Sequence, residues 1–233
     1  MKKSFLIITV LLIFNLSKAQ VPSSSRSIEA MRQRITTLTT KADSFVLRLG
    51  DPVFMRIFKE SNELEVWIRN DTRYQLFKKY TICYYSGSLG TKTKTGDGQA
   101  PEGFYQIFPT SMNPNSDYHL SFNIGYPNAY DLVHRYTGSD IMVHGECVSI
   151  GCYAMGNDNI EEIWTIMVKA FEKGQRNIPL HIFPFRMTTE NLQRNTDSTW
   201  AGFWMNLQEG YRHFENNHVP PMVVVSRGKY CFR

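Results

Sequence analysis

Apolar residues recur at three- and four-residue steps from Ser24 to about Leu49 (Ile28, Met31, Ile35, Leu38). That spacing predicts a helix, which Ser24 or Ser25 can cap. The period then drops to two. "PVFMRIF" and "ELEVWIR" alternate around a turn at "KESN" and predict a hairpin. "RNDTR" turns the chain again, into a third strand read over "YQLFKKYTICYYSG". Gly, Thr and Lys crowd "SGSLGTKTKTGDGQAPEG", too long for a simple turn, and connections of this length in a compact domain are often functional. "FYQIF" resumes an extended pattern after Gly103, and Ser111 to Gly138 is polar, with aromatics set among Asn and Pro.

Helical spacing returns at Ile160, Ile163, Trp164, Met167, Ala170 and Phe171. Asp158 with Glu161 reads as a capping box, and Gly174 ends the run. "IPLHIFPF" predicts a strand in which His181 is a packed structural histidine, and "MVVVSRGKYCFR" a closing hairpin. Trp200, Phe203, Trp204, Leu207, Tyr211 and Phe214 fall on one face of a last helix, a spacing that favours core packing over a sugar platform. Strands on either side of helices, joined by local hairpins, define an α+β fold. The 233 residues, 42% of them hydrophobic, suffice for one well-filled core.

The first residues change the picture of charge. "MKKSFLIITVLLIFNLSKAQ" has a basic start, an apolar run from Phe5 to Leu16, and small residues at Ser17 and Ala19. It predicts a cleaved signal peptide over residues 1–19, because the apolar run falls short of the ~20 residues that span a bilayer. Residues 20–50 then form an N-terminal helical segment and 51–233 the main domain, with no transmembrane segment after cleavage. Removing Lys2, Lys3 and Lys18 lowers the net charge from +5 to +2. No basic stripe remains to suggest a nucleic-acid partner.

Candidate chemistry gathers in "IMVHGECVSIGCYAM", residues 141–155. Fully extended, His144 and Cys152 would stand about 27 Å apart, and on a continuous helix about 12 Å. A thiol–imidazole hydrogen bond needs about 3 Å, so the pairing requires a chain that doubles back, and Gly145 and Gly151 permit it. Such a loop would point backbone N–H groups at a developing oxyanion, while an adjacent imidazole would withdraw the thiol proton. The same residues also allow a buried structural Cys152, a Cys147–Cys152 disulfide, or a zinc site on His144, Cys147 and Cys152. Of the remaining cysteines, Cys83 and Cys231 sit in extended segments and are the pair expected to form a disulfide in an oxidising compartment.

The order "HG…S.GC" resembles the active-site signature of the YkuD-type L,D-transpeptidases, and "APEGFYQI" resembles that family's strand entry. "RIFKESNELEVW", "YHLSFNIGYPNAYD", "EEIW" and "HIFPFRMT" are similar to the YafK-like branch, over roughly Pro52 to Arg233. The resemblance implies a largely β catalytic domain of mixed, sandwich-like sheets with helices packed on them. It also implies a cysteine acyl-enzyme on peptidoglycan stem peptides in the periplasm, with no cofactor or metal. By position, Cys152 is then the nucleophile and His144 the general base and later acid. The N–H groups of Cys152 and Tyr153 are oxyanion candidates beside Gly151, and Ser149 orients His144 through its carbonyl. The interval from histidine to cysteine is short, and no arginine follows Tyr153 and Ala154, so the family's usual substrate contacts must come from elsewhere.

Arg186 and Arg135 are the candidates to bind stem-peptide carboxylates, with Tyr118, His119 and Gly145 bordering the groove. Three functions compete: an acyltransferase whose acceptor is another stem or an outer-membrane lipoprotein amine, a hydrolase that detaches lipoprotein or trims peptidoglycan, and a non-catalytic wall-binding module.

Overall fold

The computed structural model describes residues 20–233, so the leader expected over residues 1–19 lies outside the described residues. In chain order the elements are α1 (Ser25–Ser44), β1 (Val53–Phe58), β2 (Glu63–Asn70), β3 (Arg73–Thr81), β4 (Tyr84–Tyr85), β5 (Gly103–Ile107), β6 (Met112–Asn113), β7 (Ser121–Asn123), α2 (Ala129–Val133), β8 (Met142–His144), β9 (Tyr153–Ala154), α3 (Asn157–Glu172), β10 (Ile178–Phe183), α4 (Thr189–Gln193), α5 (Ala201–Asn217), β11 (Val223–Ser226) and β12 (Lys229–Phe232). The α+β expectation holds. Two mixed five-stranded sheets run in the orders β3-β2-β1-β10-β5 and β4-β9-β8-β7-β6, and β11 pairs with β12 in the predicted closing hairpin. Among the described residues no helix is long and apolar enough to cross a membrane.

Strand β1 lies inside the first sheet, antiparallel to β2 and parallel to β10. All six of its residues are buried, as expected for a strand covered on both faces. Val53, Met55 and Ile57 join a core that includes Phe122, Val143 and Tyr153 of the second sheet together with α1 and α3. Phe54 and Phe58 face the other way, into aromatic clusters with Phe214 and with Trp204 and Tyr211 of α5. Arg56, on this second face, is 2% exposed. It is held by Glu65 at 2.8 Å and by Glu215, with its guanidinium over the rings of Trp67 and Phe214. A buried cation survives only when paired in this way.

Helix α1 is capped by Ser24, whose hydroxyl accepts from the Ser27 N–H. It ends at Ser44, short of Leu49, and packs along α3. The α3 start corrects the capping-box expectation. Gly156 is the N-cap with no side-chain cap bond, and Asp158 and Glu161 instead both pair with Arg34 of α1.

The stretch read as one third strand also divides. After Thr81 the chain leaves β3, the Ile82 N–H donates to the Asn62 carbonyl, and the Cys83 N–H donates to the Ala154 carbonyl in the second sheet. Cys83 therefore stands at a crossing between sheets. It is bonded to Cys147, not to Cys231, which is free. The physical reason is strand order: the final hairpin is a separate two-stranded unit, while Cys83 runs beside the strand that follows the His144–Cys152 loop.

In α5, Trp204 and Phe214 are buried as expected, but Phe203 and the N-cap Trp200 are only half-buried. Trp204 Nε1 donates to Glu102 at 2.7 Å. Glu102 in turn meets Lys59 at 3.0 Å, with both side chains fully buried. The Lys59 ammonium also donates to the carbonyls of Gly90 and Ala100. One buried ion pair thus ties the long glycine- and threonine-rich loop to the first sheet and to α5. His181, also buried, packs between Phe54 and Phe104 at 4.6 Å from each, and burial drives its pKa well down, so it is a neutral structural residue.

Candidate active site

Parallel neighbours β8 and β9 register Val143 with Tyr153 and His144 with Ala154. Parallel strands are ordinarily joined by a crossover of a dozen or more residues, but here residues 145–152 suffice because the strands are so short. The loop bends at Glu146 (φ 55°) and at Gly151 (φ 149°), a conformation that suits glycine at the second position. Gly145 serves a different need. A Cβ there would sit 2.8 Å from the Tyr118 carbonyl and 2.9 Å from the His119 Cβ. Its N–H is already donated to the carbonyls of Tyr118 and Leu120, so Gly145 brings the two segments together and does not itself border the groove. The return path is fixed by Met155 N–H donating to the His144 carbonyl and Gly156 N–H to the Glu146 carbonyl, both at 2.8 Å. The Cys83–Cys147 disulfide pins the middle of the loop. It also removes two alternatives: Cys147 is neither paired with Cys152 nor available as a thiolate ligand to zinc.

His144 and Cys152 line one cavity of about 340 Å³ with Tyr118, Asp140, Met142, Val148, Ser149 and Ile150. The His144 Nδ1 lies 2.6 Å from the Gly145 carbonyl. A carbonyl only accepts, so Nδ1 carries the proton and Nε2 keeps its lone pair. A backbone carbonyl thus orients the imidazole, as expected, but it belongs to Gly145 and not to Ser149. Tyr118 covers the imidazole, with ring centroids 4.8 Å apart. The Ser149 hydroxyl donates to the Cys152 carbonyl at 2.7 Å and accepts from the Gly151 N–H at 3.1 Å; it braces the turn that presents the cysteine.

No hydrogen bond among the described residues joins Cys152 Sγ to the imidazole. Sγ instead accepts from the Met142 N–H at 3.4 Å and donates to the Asp140 carbonyl at 3.7 Å. Burial raises the thiol pKa and lowers that of His144, so thiol and imidazole rest uncharged. This corrects the expectation of a standing thiolate.

Other expected site residues lie elsewhere. Arg186 is committed to Glu63 and to Glu65, the latter at 2.9 Å. Arg135 is exposed on the turn after α2 and lines neither cavity beside Cys152. His119 turns its Nε2 to Glu161 at 2.8 Å. The Tyr153 phenol is fully buried and donates to the Pro101 carbonyl, leaving only its backbone to the site. Sequence reasoning missed Lys92, Asp140 and Met142. The clue to Lys92 was available in the length and composition of its loop.

A thiol and an imidazole sharing a water-accessible cavity at the edge of a two-sheet α+β fold define a candidate thiol acyl-transfer site. The profile of the YkuD family, the L,D-transpeptidase catalytic domain, matches residues 57–173. The chain is 43% identical over 230 residues to the "Putative L,D-transpeptidase YafK" of Escherichia coli K12, covering 99% of this chain and 90% of that one. The same identity is found with the counterpart in strain O157:H7. Among solved structures it is similar to the helical cell shape determining protein Pgp2 of Campylobacter jejuni (18% identity, 84% and 81% of the two chains, TM-score 0.46). It is similar also to Bdellovibrio bacteriovorus Bd1075 (20% identity, 76% and 78%, TM-score 0.42). The chain belongs to the L,D-transpeptidase catalytic domain family, within which it is similar to YafK proteins over nearly its whole length.

Proposed function

We propose that this protein is an exported cysteine acyltransferase of the cell envelope that acts on peptidoglycan stem peptides. The observation that carries this reading is that, in a chain of this family, Cys152 and His144 line one cavity with the Nε2 lone pair of His144 uncommitted. Sγ attacks the carbonyl at the L-centre of a diaminopimelate residue while Nε2 takes the thiol proton. The tetrahedral oxyanion is met by the backbone N–H groups of Cys152 and Tyr153. The imidazolium returns its proton to the departing amine, the C–N bond breaks and a thioester remains. An incoming amine, from another stem or from a lipoprotein lysine, loses its proton to Nε2, displaces Sγ and restores the thiol. Water in place of the amine makes the same machinery a hydrolase.

Incubation with defined muropeptides, read by product mass, tests the reading. Cross-linked or amine-exchanged products support the acyltransferase, and net addition of water assigns hydrolysis. No change of any muropeptide leaves a binding module and sinks the enzymatic reading. Cys152→Ala and His144→Ala should each abolish turnover, by about 10³-fold or more; wild-type rates in either variant overturn the assignment of roles.

A further inference from the structure

Cys152 borders a second cavity, of about 260 Å³, which His144 does not line. Its walls are Lys92, Thr95 and Gly96 from the long loop, Gly138 to Ile141, and the Ile150–Cys152 turn. It is smaller than the ~300–1,000 Å³ typical of pockets for drug-sized ligands, so one amino-acid-sized group fills it. Lys92 is 4% exposed, and of the residues lining either cavity it alone carries a fixed positive charge. Its ammonium donates to the Lys94 carbonyl at 3.0 Å and to Asp97 Oδ1 at 2.6 Å. An ammonium has three donors, so one is uncommitted.

Asp97 is itself held by the N–H groups of Thr93, Lys94 and Gln99. Its carboxylate organises the loop and fixes Lys92 in place. Asp140, which lines both cavities, accepts from the Ser139 hydroxyl and has no cation within ion-pair distance among the described residues. Lys92 and Asp140 therefore present opposite charges to one small space beside the sulfur, without neutralising each other.

We propose that this second cavity is a subsite for a free amino-acid end, in which Lys92 takes the carboxylate and Asp140 the ammonium of a group next to the scissile carbonyl. The inference rests on the acyl-transfer reading and makes Lys92 and Asp140 specificity-determining residues of that reaction. A diamino diacid such as diaminopimelate carries both charges on its distal end; a lysine at the same position carries only the ammonium. The arrangement also supplies what the sequence lacks, since Ala154 and not an arginine stands two residues after Cys152, and neither Arg186 nor Arg135 lines the cavity. The positive charge of Lys92 also acts on Cys152, where it opposes part of the effect of burial.

The test compares three stem tetrapeptides by titration calorimetry on the full chain with Cys152→Ala, which blocks turnover. One carries meso-diaminopimelate, one lysine at that position, and one diaminopimelate with its distal amine acetylated. Adding Lys92→Met should weaken the two diaminopimelate peptides by about 10- to 100-fold, the scale of a lost charge-assisted hydrogen bond, and leave the lysine peptide within about twofold. Adding Asp140→Asn should weaken the two peptides that keep the ammonium and spare the acetylated one. A loss from Lys92→Met that is equal on all three peptides assigns that residue a loop-holding role and overturns the proposal; so does unchanged affinity throughout. Wild-type turnover on muropeptides with no such discrimination sinks this inference alone, whereas absence of any turnover sinks the acyl-transfer reading first.

Discussion

Strands β1, β2, β3 and β10 run for 6, 8, 9 and 6 residues, whereas β7, β8 and β9 around the candidate site run for 3, 3 and 2. In the first sheet the buried charges are matched: Arg56 to Glu65 and Glu215, and Lys59 to Glu102. In the second sheet His144 and Cys152 share a cavity without bonding each other; beside them Asp140 has no ion-pair partner among the described residues, and Lys92, held by Asp97 and the Lys94 carbonyl, keeps one donor free. Unmatched polar groups are costly in a core, so they collect where strands are short and solvent enters. There the ladder alone gives little rigidity. Position comes instead from a disulfide, from the closeness Gly145 allows, and from Ser149 bracing the turn. On the proposed function, the comparison assigns stability to one sheet and chemistry to the other, and it can be broken from either side.

The largest effect on stability should come from the first side. Trp204→Ala removes a buried aromatic and the Nε1–H donor to Glu102, whose carboxylate also anchors Lys59. Such truncations cost about 3–5 kcal/mol, and the orphaned carboxylate oxygen favours the upper half of that range. Urea unfolding followed by fluorescence measures it. Stem-peptide binding by the folded protein should persist, because Trp204 lines neither cavity. A variant of full stability that no longer binds stem peptide would place chemistry on the side assigned to the scaffold.

How far the sequence reached follows the same division. Strand-length apolar runs and alternation, bounded by turn residues, located β1, β2, β10 and the closing hairpin. Helical spacing likewise located α1, α3 and α5. Residues 141–155 stood out by residue type, but those types alone left a structural cysteine as open as a catalytic one, and the family resemblance favoured the second. What the pattern could not carry was pairing between distant segments. Cys83 was assigned to a continuous third strand, although it lies where the chain crosses to the second sheet beside Ala154, and that crossing decides its disulfide partner. Arg186 reads as an available cation until Glu63 and Glu65 are placed against it across the sheet. Two- and three-residue strands have too few positions to show any period, so the frame of the site, including Asp140 and Met142, was not legible, although Tyr118 was placed beside the groove.

On the chemical side, Cys147→Ser should be the more disruptive change for activity than for folding. The disulfide spans a sequence separation of 64, and loss of such a cross-link costs about 2–4 kcal/mol. Turnover should fall further than that loss alone requires, since residues 145–151 are then free to move Cys152 relative to His144. Non-reducing peptide mapping should recover linked Cys83 and Cys147 peptides, with Cys231 free. A Cys147→Ser protein with wild-type turnover at temperatures well below its unfolding transition would show that the short strands hold the site unaided, and the contrast between the sheets would lose its main support.

The smallest effect is a displacement along the pH axis, and it separates a resting neutral pair from a standing ion pair. Burial raises the Cys152 thiol and lowers the His144 imidazole, so both favour the uncharged state at neutral pH. For the free enzyme, iodoacetamide labelling of Cys152 requires thiolate. Its rate should therefore be slow at pH 7, climb with pH, and reach a plateau only above the ordinary thiol range near 8.5. Turnover has the opposite sign of dependence on histidine. The base must be neutral, and a lowered pKa keeps it neutral to more acidic solution, so the acid limb of kcat/KM should fall below about pH 6.5 and not above it. Cys231, half-buried in the closing hairpin, provides the internal reference for labelling. If Cys152 is labelled to completion near pH 6 while Cys231 is untouched, the pair is ionised at rest. The neutral arrangement would then be wrong, although the residues would keep their roles.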